Sequence, residues 1–403
     1  MNDSKIIKRA SYIQKIKPFI AKPVIKVLTG QRRVGKSYIL YQLIDEIKLL
    51  YPHSNIIYIN IELSEFDFIK NHTDLDRYVE SKLQSNVPNF LLVDEIQEIS
   101  SFELCLRSLL AANKCDIYCT GSNAAMLSGE LATTIAGRYV EIPIYALSYS
   151  EFMDFHKLSD SKETLLRYLA VGGMPFLIHT GIGIEIVNEY LKNIYSTIVL
   201  KDVIARYNIR NVSFVENLIA YLADNVGNIV SANNISKYLK SQRLTISAQT
   251  VMNYLKMLTD SFLIHKVQRC EIGGLKIFEI GEKYYFEDLG IRNSIRQHDM
   301  RNDMNKLLEN VVYMHLIRQG YSVFIGQWGT HEIDFVAQRN EEKMYIQVAY
   351  LLSDAKTEER EFGNLNKISD HYPKYVVTMD EVPVKINYNG IKQMLLNDFL
   401  TSF

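Results

Sequence analysis

At 403 residues, 47% hydrophobic and 23% charged, the chain has ordinary globular composition and length enough for two to three domains. That excludes a disordered, collagenous or disulfide-scaffold protein. Lys and Arg number 45 against 46 Asp and Glu, which excludes a histone-like polycation but leaves room for a local basic face. The 4 cysteines, Cys105, Cys115, Cys119 and Cys270, form no CxxC pair and read as reduced, mostly buried thiols. No apolar run approaches ~18 residues and Met1–Lys8 has no signal-peptide core, so the expectation is a soluble, cytoplasmic protein with no membrane partner.

Residues 24–30 (VIKVLTG) predict a short strand ending at glycine. Strand-like runs follow at 55–62, 89–94 and 116–120, with helical patterns such as 37–50 and 75–84 between them. This alternation predicts a doubly wound parallel sheet. After a last strand at 140–144, the pattern from 148 to about 200 is helical and broken by Gly172, Gly173 and Pro175. Helices at 215–226, 232–240 and 247–259 lead into a β-ribbon, with strands at 263–267 and 275–279 around a Gly273–Gly274 turn. Three helices and a ribbon of this size look like a winged helix. The last hundred residues return to α/β, with a helix at 306–319 and strands at 322–326, 331–337 and 344–349.

Gly30-Gln31-Arg32-Arg33-Val34-Gly35-Lys36-Ser37 fits GxxxxGK[ST] between a strand and a helix. Glycines there let backbone N–H groups wrap phosphates, aided by the positive end of the helix dipole. Lys36 is placed to neutralise the β- and γ-phosphates and the Ser37 hydroxyl to ligate Mg²⁺, with Tyr38 closing the nucleotide-binding stretch. Downstream, Phe90-Leu-Leu-Val-Asp94-Glu95 is an apolar strand ending in two acids. A carboxylate at that end of a parallel strand faces the same crevice as the phosphate loop. Asp94 is then the Mg²⁺ holder and Glu95 the group that polarises the attacking water. Together the motifs predict hydrolysis of ATP, with Mg²⁺.

The strand at 116–120 runs into Gly121-Ser122-Asn123, which resembles the sensor-1 element of AAA+ ATPases. The resemblance implies that this strand lies between those of the two Walker motifs, with Asn123, or Ser122, near the γ-phosphate. TGSN also reads as an ordinary turn and cap. Gly137-Arg138 stands where AAA+ proteins carry an arginine finger acting in trans, which implies a homo-oligomer. Arg138 equally suits a helix cap or an ion pair. Gly172-Gly173-Met174-Pro175 is similar to the GxP element in the lids of signalling-type P-loop ATPases, where the proline packs on the nucleotide, and also suits a plain helix–helix turn. Arg9 and Tyr12 are further candidates for the adenine pocket.

Residues 197–300 hold 13 Lys and Arg against 10 Asp and Glu, whereas residues 301–403 hold 11 against 14. The middle module is the mildly basic one, as duplex DNA contact requires. Lys237, Lys240 and Arg243 precede a candidate recognition helix whose Ser247, Gln249, Thr250 and Asn253 suit bases or phosphates. A protein-binding module with solvated charges is the alternative. In the C-terminal module, Glu309 on a helix, Glu332-Ile-Asp334-Phe335 on a strand and Gln347-Val-Ala349 on the next resemble the PD-(D/E)xK nuclease constellation, which implies Mg²⁺. Gln347 replaces the acid and Ala349 the lysine, so Lys343 would have to reach along the strand to compensate. That departure favours a degenerate nuclease fold over a DNA-cleaving one.

Together these motifs resemble a family of bacterial and archaeal AAA-type ATP-binding proteins. The resemblance rests on TGQRRVGKS (29–37), LLVDEIQ (91–97), GR (137–138), GGMP (172–175), KYYFEDLGIRN (283–293), EIDFVA (332–337) and YIQVAY (345–350). It implies an α/β fold: a P-loop NTPase parallel sheet (1–146) with a helical lid (147–212), a winged helix (213–300) and a small restriction-nuclease-like α/β domain (301–403). The family pattern shares the Gln of YIQVAY, which favours a non-cleaving role. The resemblance implies ATP binding and names no substrate; the motifs together predict a Mg²⁺-dependent ATPase acting as a DNA-associated switch, with an ATP-gated DNA nuclease or a protein-binding signalling ATPase as the alternatives.

Overall fold

The computed structural model describes residues 7–124, 126, 135, 137–180, 184–242, 246–273, 277–296, 303–352, 355–383 and 387–402. The chain divides into two compact units, Met1–Ala146 with Asp260–Phe262 and Leu147–Thr259 with Leu263–Phe403.

Five strands build the first unit: β1 (Ile25–Thr29), β2 (Asn55–Asn60), β3 (Asn89–Asp94), β4 (Asp116–Gly121) and β5 (Tyr139–Pro143). All pair in parallel, in the order β2-β3-β4-β1-β5. β1 is buried along its whole length and β3 and β4 nearly so, which is why they read as unbroken apolar runs rather than alternating ones. Helices Lys36–Leu50, His72–Lys82 and Phe102–Ala111 connect the strands. Val27, Leu91, Val93 and Ile117 pack with Leu75, Val79, Leu106 and Leu109 of the latter two. The parallel α/β sheet expected from the sequence is therefore present. β4 lies between β1 and β3, so the carboxyl ends of all three lie side by side.

The second unit opens with helices Tyr149–His156, Lys162–Val171, Leu177–Thr180 and Ile184–Thr197, the last continuing as π-helix over Ile198–Ala205. Helices Val212–Asp224, Ala232–Ser241 and Ala248–Asp260 follow. Next come β6 (Ile264–Glu271) and β7 (Ile277–Phe286), paired antiparallel. This ribbon is longer than the sequence suggested, because the aromatic run Tyr284-Tyr285-Phe286 extends its second strand. It also continues into the C-terminal strands: β6 pairs in parallel with β8 (Ser322–Trp328). β9 (His331–Arg339), β10 (Glu342–Val348), β11 (Lys374–Thr378), β12 (Asn387–Tyr388) and β13 (Ile391–Leu395) complete one eight-stranded mixed sheet. Helices Met304–Arg318, Ala355–Asn366 and Leu396–Ser402 accompany it.

The KYYFEDLGIRN segment holds this unit together, residue by residue. Phe286 N–H and C=O bond the side-chain amide of Asn310, both at 2.8 Å. Arg292, fully buried, donates to the Ala223 carbonyl at 3.0 Å and to Asp303 at 2.6 Å. Asn293 donates to the Leu169 and Ala170 carbonyls, both at 2.9 Å. Asp288 caps helix Leu289–Arg296 by accepting from Ile291 N–H (2.9 Å) and takes the Gly173 N–H at 2.6 Å. Gly172 has φ 75°, and a Cβ on it would overlap the Asp288 carboxylate and the Gly290 backbone. The glycines of GGMP are thus fixed by packing within this unit.

All four cysteines are free thiols, with Cys105 and Cys119 buried. Among the described residues no helix is long and apolar enough to cross a membrane.

Burial pushes the Asp288 carboxyl up from its ordinary 3.8 to about 6, against the pull of the Gly173 and Ile291 N–H groups. Between those values the folded state holds a proton that the unfolded chain has released, so stability falls as pH rises from about 4 to about 6. The loss expected is roughly 1–3 kcal/mol. Denaturant unfolding across that window should show a steeper fall for the wild type than for Asp288→Asn. Parallel profiles would contradict this role for Asp288.

Candidate nucleotide site

β1 passes into the loop 30–35 and then into helix Lys36–Leu50, whose N-cap is Gly35 at φ 96°. Gly30 has φ 148°, and a Cβ there would overlap the Ile144 carbonyl oxygen, so only glycine fits. Arg9 is buried beneath the loop. Its Nη1 donates to the carbonyls of Val34 (3.1 Å) and Tyr145 (3.0 Å), and its guanidinium lies 4.5 Å from the Tyr12 ring centre. Tyr12 accepts from the Tyr145 N–H at 3.1 Å. The structure therefore uses Arg9 and Tyr12, suggested by sequence as adenine contacts, to brace the loop. A buried guanidinium must place its donors on acceptors, and here these include one carbonyl of the loop, at Val34, and one of the segment after β5, at Tyr145.

Lys36 is buried. Its Nζ donates to the carbonyls of Gly30 (3.0 Å) and Gln31 (3.2 Å) and lies 3.6 Å from Glu95 Oε1. Asp94 ends β3, and Glu95 follows in the left-handed region at φ 56°. Asp94 accepts from the Thr120 hydroxyl at 2.5 Å and the Tyr58 hydroxyl at 3.3 Å, and it is hydrogen-bonded by Ser37. The Thr120 oxygen in turn accepts from the Glu95 N–H at 2.8 Å. Gln97 Nε2 donates to Glu95 Oε2 at 2.5 Å and to the Ser122 hydroxyl at 3.3 Å. Loop, strand ends and both acids thus form one connected network.

The two carboxyls are driven apart. Burial is the largest influence on each and pushes both upward. For Asp94 it prevails over Ser37, Thr120 and Lys36, leaving its carboxyl above the usual aspartate range. For Glu95, Lys36, Gln97, Arg32 and Ser122 together outweigh it and hold the carboxyl below the usual glutamate range. Glu95 is therefore held ionised, the state needed to accept a proton or orient a water.

Other candidates fall in several places. Ser122 is hydrogen-bonded into the acid network, and Asn123 is buried directly after it. Arg32 lies 3.6 Å from Glu62. Arg33, at φ 72°, is exposed, as is Tyr38, which meets Tyr41 edge to face. Arg138 is exposed at the start of β5, where Tyr139 is in register with Ile25 and Pro143 with Thr29. At ~3.3 Å per residue, that puts Arg138 at the opposite end of the strands from the loop, so the structure does not bring it into this network. Pro175 belongs to the second unit. Tyr58, Thr120 and Gln97 were missed, since single hydroxyls or amides on ordinary strands and turns carry no pattern.

In the second unit, Glu309, Asp334 and Gln347 do come together along a cleft of about 670 Å³. Gln347 Oε1 accepts from the Asp334 N–H at 2.7 Å. Lys343 does not reach them: its ammonium is 3.8 Å from Asp370 and packs over Tyr345 and Tyr372. The cation beside these acids is Lys283 of β7. Along the helix Ala248–Asp260, Ser247 supplies the first cap by accepting from the Thr250 N–H, and Gln249, Met252, Asn253 and Lys256 are exposed. Arg243 lies outside the described residues.

Known proteins agree with the first unit. The family model of an AAA domain matches residues 22–153, and a domain of unknown function (DUF8612) matches 162–302. An uncharacterized protein of Haemophilus influenzae is 35% identical over 402 residues, covering 98% of each chain. The chain belongs to the family of that protein. The uncharacterized protein MJ1544 of Methanocaldococcus jannaschii is 28% identical over 99% of this chain and 90% of its own. The Walker-type ATPase PABY2304 of Pyrococcus abyssi shares the fold, with a TM-score of 0.52 and 16% identity over 72% of this chain and 95% of its own.

Because a Cβ on Gly30 has no room, Gly30→Ala should destabilise the first unit by roughly 2–4 kcal/mol. Gly363→Ala, at a helical position with open space, should leave stability unchanged or slightly higher. Equal unfolding midpoints for the two variants would contradict the close approach at Gly30.

Proposed function

We propose that the chain is a Mg²⁺-dependent ATPase whose first unit binds ATP on residues 30–38 and hydrolyses it. The observation that carries this reading is the network in which Lys36 faces Glu95 while Ser37 bonds Asp94. Two features fit the nucleotide. Helix Lys36–Leu50 begins directly at the end of the loop, with Gly35 as its N-cap, and the buried Gln31 amide has neither polar atom hydrogen-bonded among the described residues. Lys36 would exchange its loop carbonyls for phosphate oxygens, and the loop N–H groups would wrap them. Ser37 and Asp94 would hold Mg²⁺, which supplies charge neutralisation at the phosphates. Glu95, held ionised and oriented by Gln97, would align the attacking water, with Ser122 and Asn123 at the γ-phosphate end. Arg138 would serve a neighbouring subunit, since its end of the sheet is remote from its own loop.

The second half of the proposal is that nucleotide state governs contact with duplex DNA through the second unit. Three helices with a ribbon, and the exposed stripe Gln249, Met252, Asn253 and Lys256 on one helical face, support a winged-helix-type contact. A protein partner on that face is the competing reading.

Glu95→Gln separates binding from chemistry. It should bind ATP with wild-type affinity while phosphate release falls at least ~100-fold. Duplex DNA affinity, followed by anisotropy across salt concentrations, should then differ between its ATP-bound and nucleotide-free forms. Undiminished phosphate release would overturn the role of Glu95, and DNA binding absent at all salt concentrations would favour a protein partner.

A further inference from the structure

The acids of the second unit carry an internal cation. Lys283 Nζ lies 2.8 Å from Glu332 Oε1, 3.3 Å from Glu309 Oε2 and 3.9 Å from Asp334 Oδ1. Its side chain is almost fully buried, so the ammonium has little water to fall back on and its partners are these carboxylates. The nuclease resemblance implies a divalent cation between Glu309, Asp334 and Gln347, and the donor set does not fit one. Glu309 Oε2 also accepts from the Tyr285 hydroxyl at 3.0 Å, and the Gly227 backbone approaches its carboxylate so closely that a Cβ there would stand 2.7 Å from Oε2. Asp334 Oδ2 accepts from the Val348 N–H at 2.8 Å. Gln347 turns its oxygen to the Asp334 N–H and its nitrogen to Glu361, 2.9 Å away. A divalent ion needs several free oxygens at about 2.0–2.6 Å. Among the described residues no group of three or more His, Cys, Asp or Glu side chains is arranged to hold a metal ion.

We propose that Lys283 occupies the cation position of this constellation, so that the acid cluster fastens β7 to the helix Met304–Arg318 and β9 instead of binding a divalent metal. Lys283 leaves β7 on one side of the cluster, whereas Glu309 comes from the helix and Glu332 and Asp334 from β9. One ammonium thereby ties three elements that are far apart in sequence, and a free metal would meet a like charge at the centre of its site. The inference is independent of the ATP reading.

Two measurements on the full, nucleotide-free chain test it. In a Mn²⁺ titration followed by electron paramagnetic resonance, wild type and Glu309→Gln should bind equal amounts of Mn²⁺. One additional equivalent bound by the wild type would overturn the proposal. Thermal unfolding reads the fastening role. Lys283→Met should lower Tm by several degrees, and combining it with Glu309→Gln and Glu332→Gln should recover most of that loss, because the two carboxylates nearest the lost ammonium no longer carry charge. A triple variant no more stable than Lys283→Met, or a Lys283→Met protein as stable as the wild type, would also overturn it.

Discussion

Carboxylates taken out of water must find a cation or a set of donors, and both units of this protein are organised around that constraint. Leaving one partner of a buried ion pair unmatched costs about 3–5 kcal/mol, a large share of a domain's whole stability. In the first unit Lys36 answers Glu95, while Thr120, Tyr58 and Ser37 answer Asp94. In the second, Lys283 answers Glu309, Glu332 and Asp334. The two solutions differ in what they permit. Lys36 rests on backbone carbonyls of a loop shaped by glycines, so its contacts can be exchanged for those of a phosphate. Lys283 extends from a ten-residue strand and rests on carboxylate side chains, whose charge it must keep matching.

The same segment that carries Lys283 explains why the second unit is one unit. Along 283 to 293, Lys283 meets the acid cluster, the Phe286 backbone meets Asn310, and the side chains of Asp288, Arg292 and Asn293 meet Gly173, the end of helix Val212–Asp224 and the end of helix Lys162–Val171. Each of these contacts is a hydrogen bond or ion pair in a buried or part-buried place, where an unmatched partner is costly. The eight-stranded sheet adds a backbone route, since β6 of the ribbon pairs directly with β8. The helices between 149 and 205, those between 212 and 260 and the C-terminal strands are therefore joined by side chains, and the ribbon joins those strands by sheet hydrogen bonds as well.

Much of this was legible in the sequence. The spacing Gly30 to Ser37 and the strand ending Asp94-Glu95 located the network, because backbone wrapping of an anion leaves a glycine signature and a buried parallel strand leaves an apolar run. The strand at 116–120 could be placed between the other two only through the resemblance to AAA+ proteins, and the sheet has that order. What stayed hidden was long-range. Thr120, Tyr58 and Gln97 are unexceptional in their own elements and acquire meaning only beside the acids. Lys283 stood inside a recognisable motif with no chemistry attached, since the acids it meets lie 26 to 51 positions away. Lys343, the lysine on β10 that local spacing offers as a substitute, is directed by the fold to Asp370 instead. Nor could the sequence show that the ribbon joins the C-terminal sheet, as strand order is set by pairing partners and not by local pattern.

The central claim is that the network around Lys36 and Glu95 turns over ATP. Phosphate release by the full chain with Mg²⁺, measured across protein concentrations beside Lys36→Ala, tests it most directly. The account predicts release that increases per molecule as concentration rises, through Arg138 acting on a neighbour, and that disappears in Lys36→Ala. Release that survives intact in Lys36→Ala would contradict it.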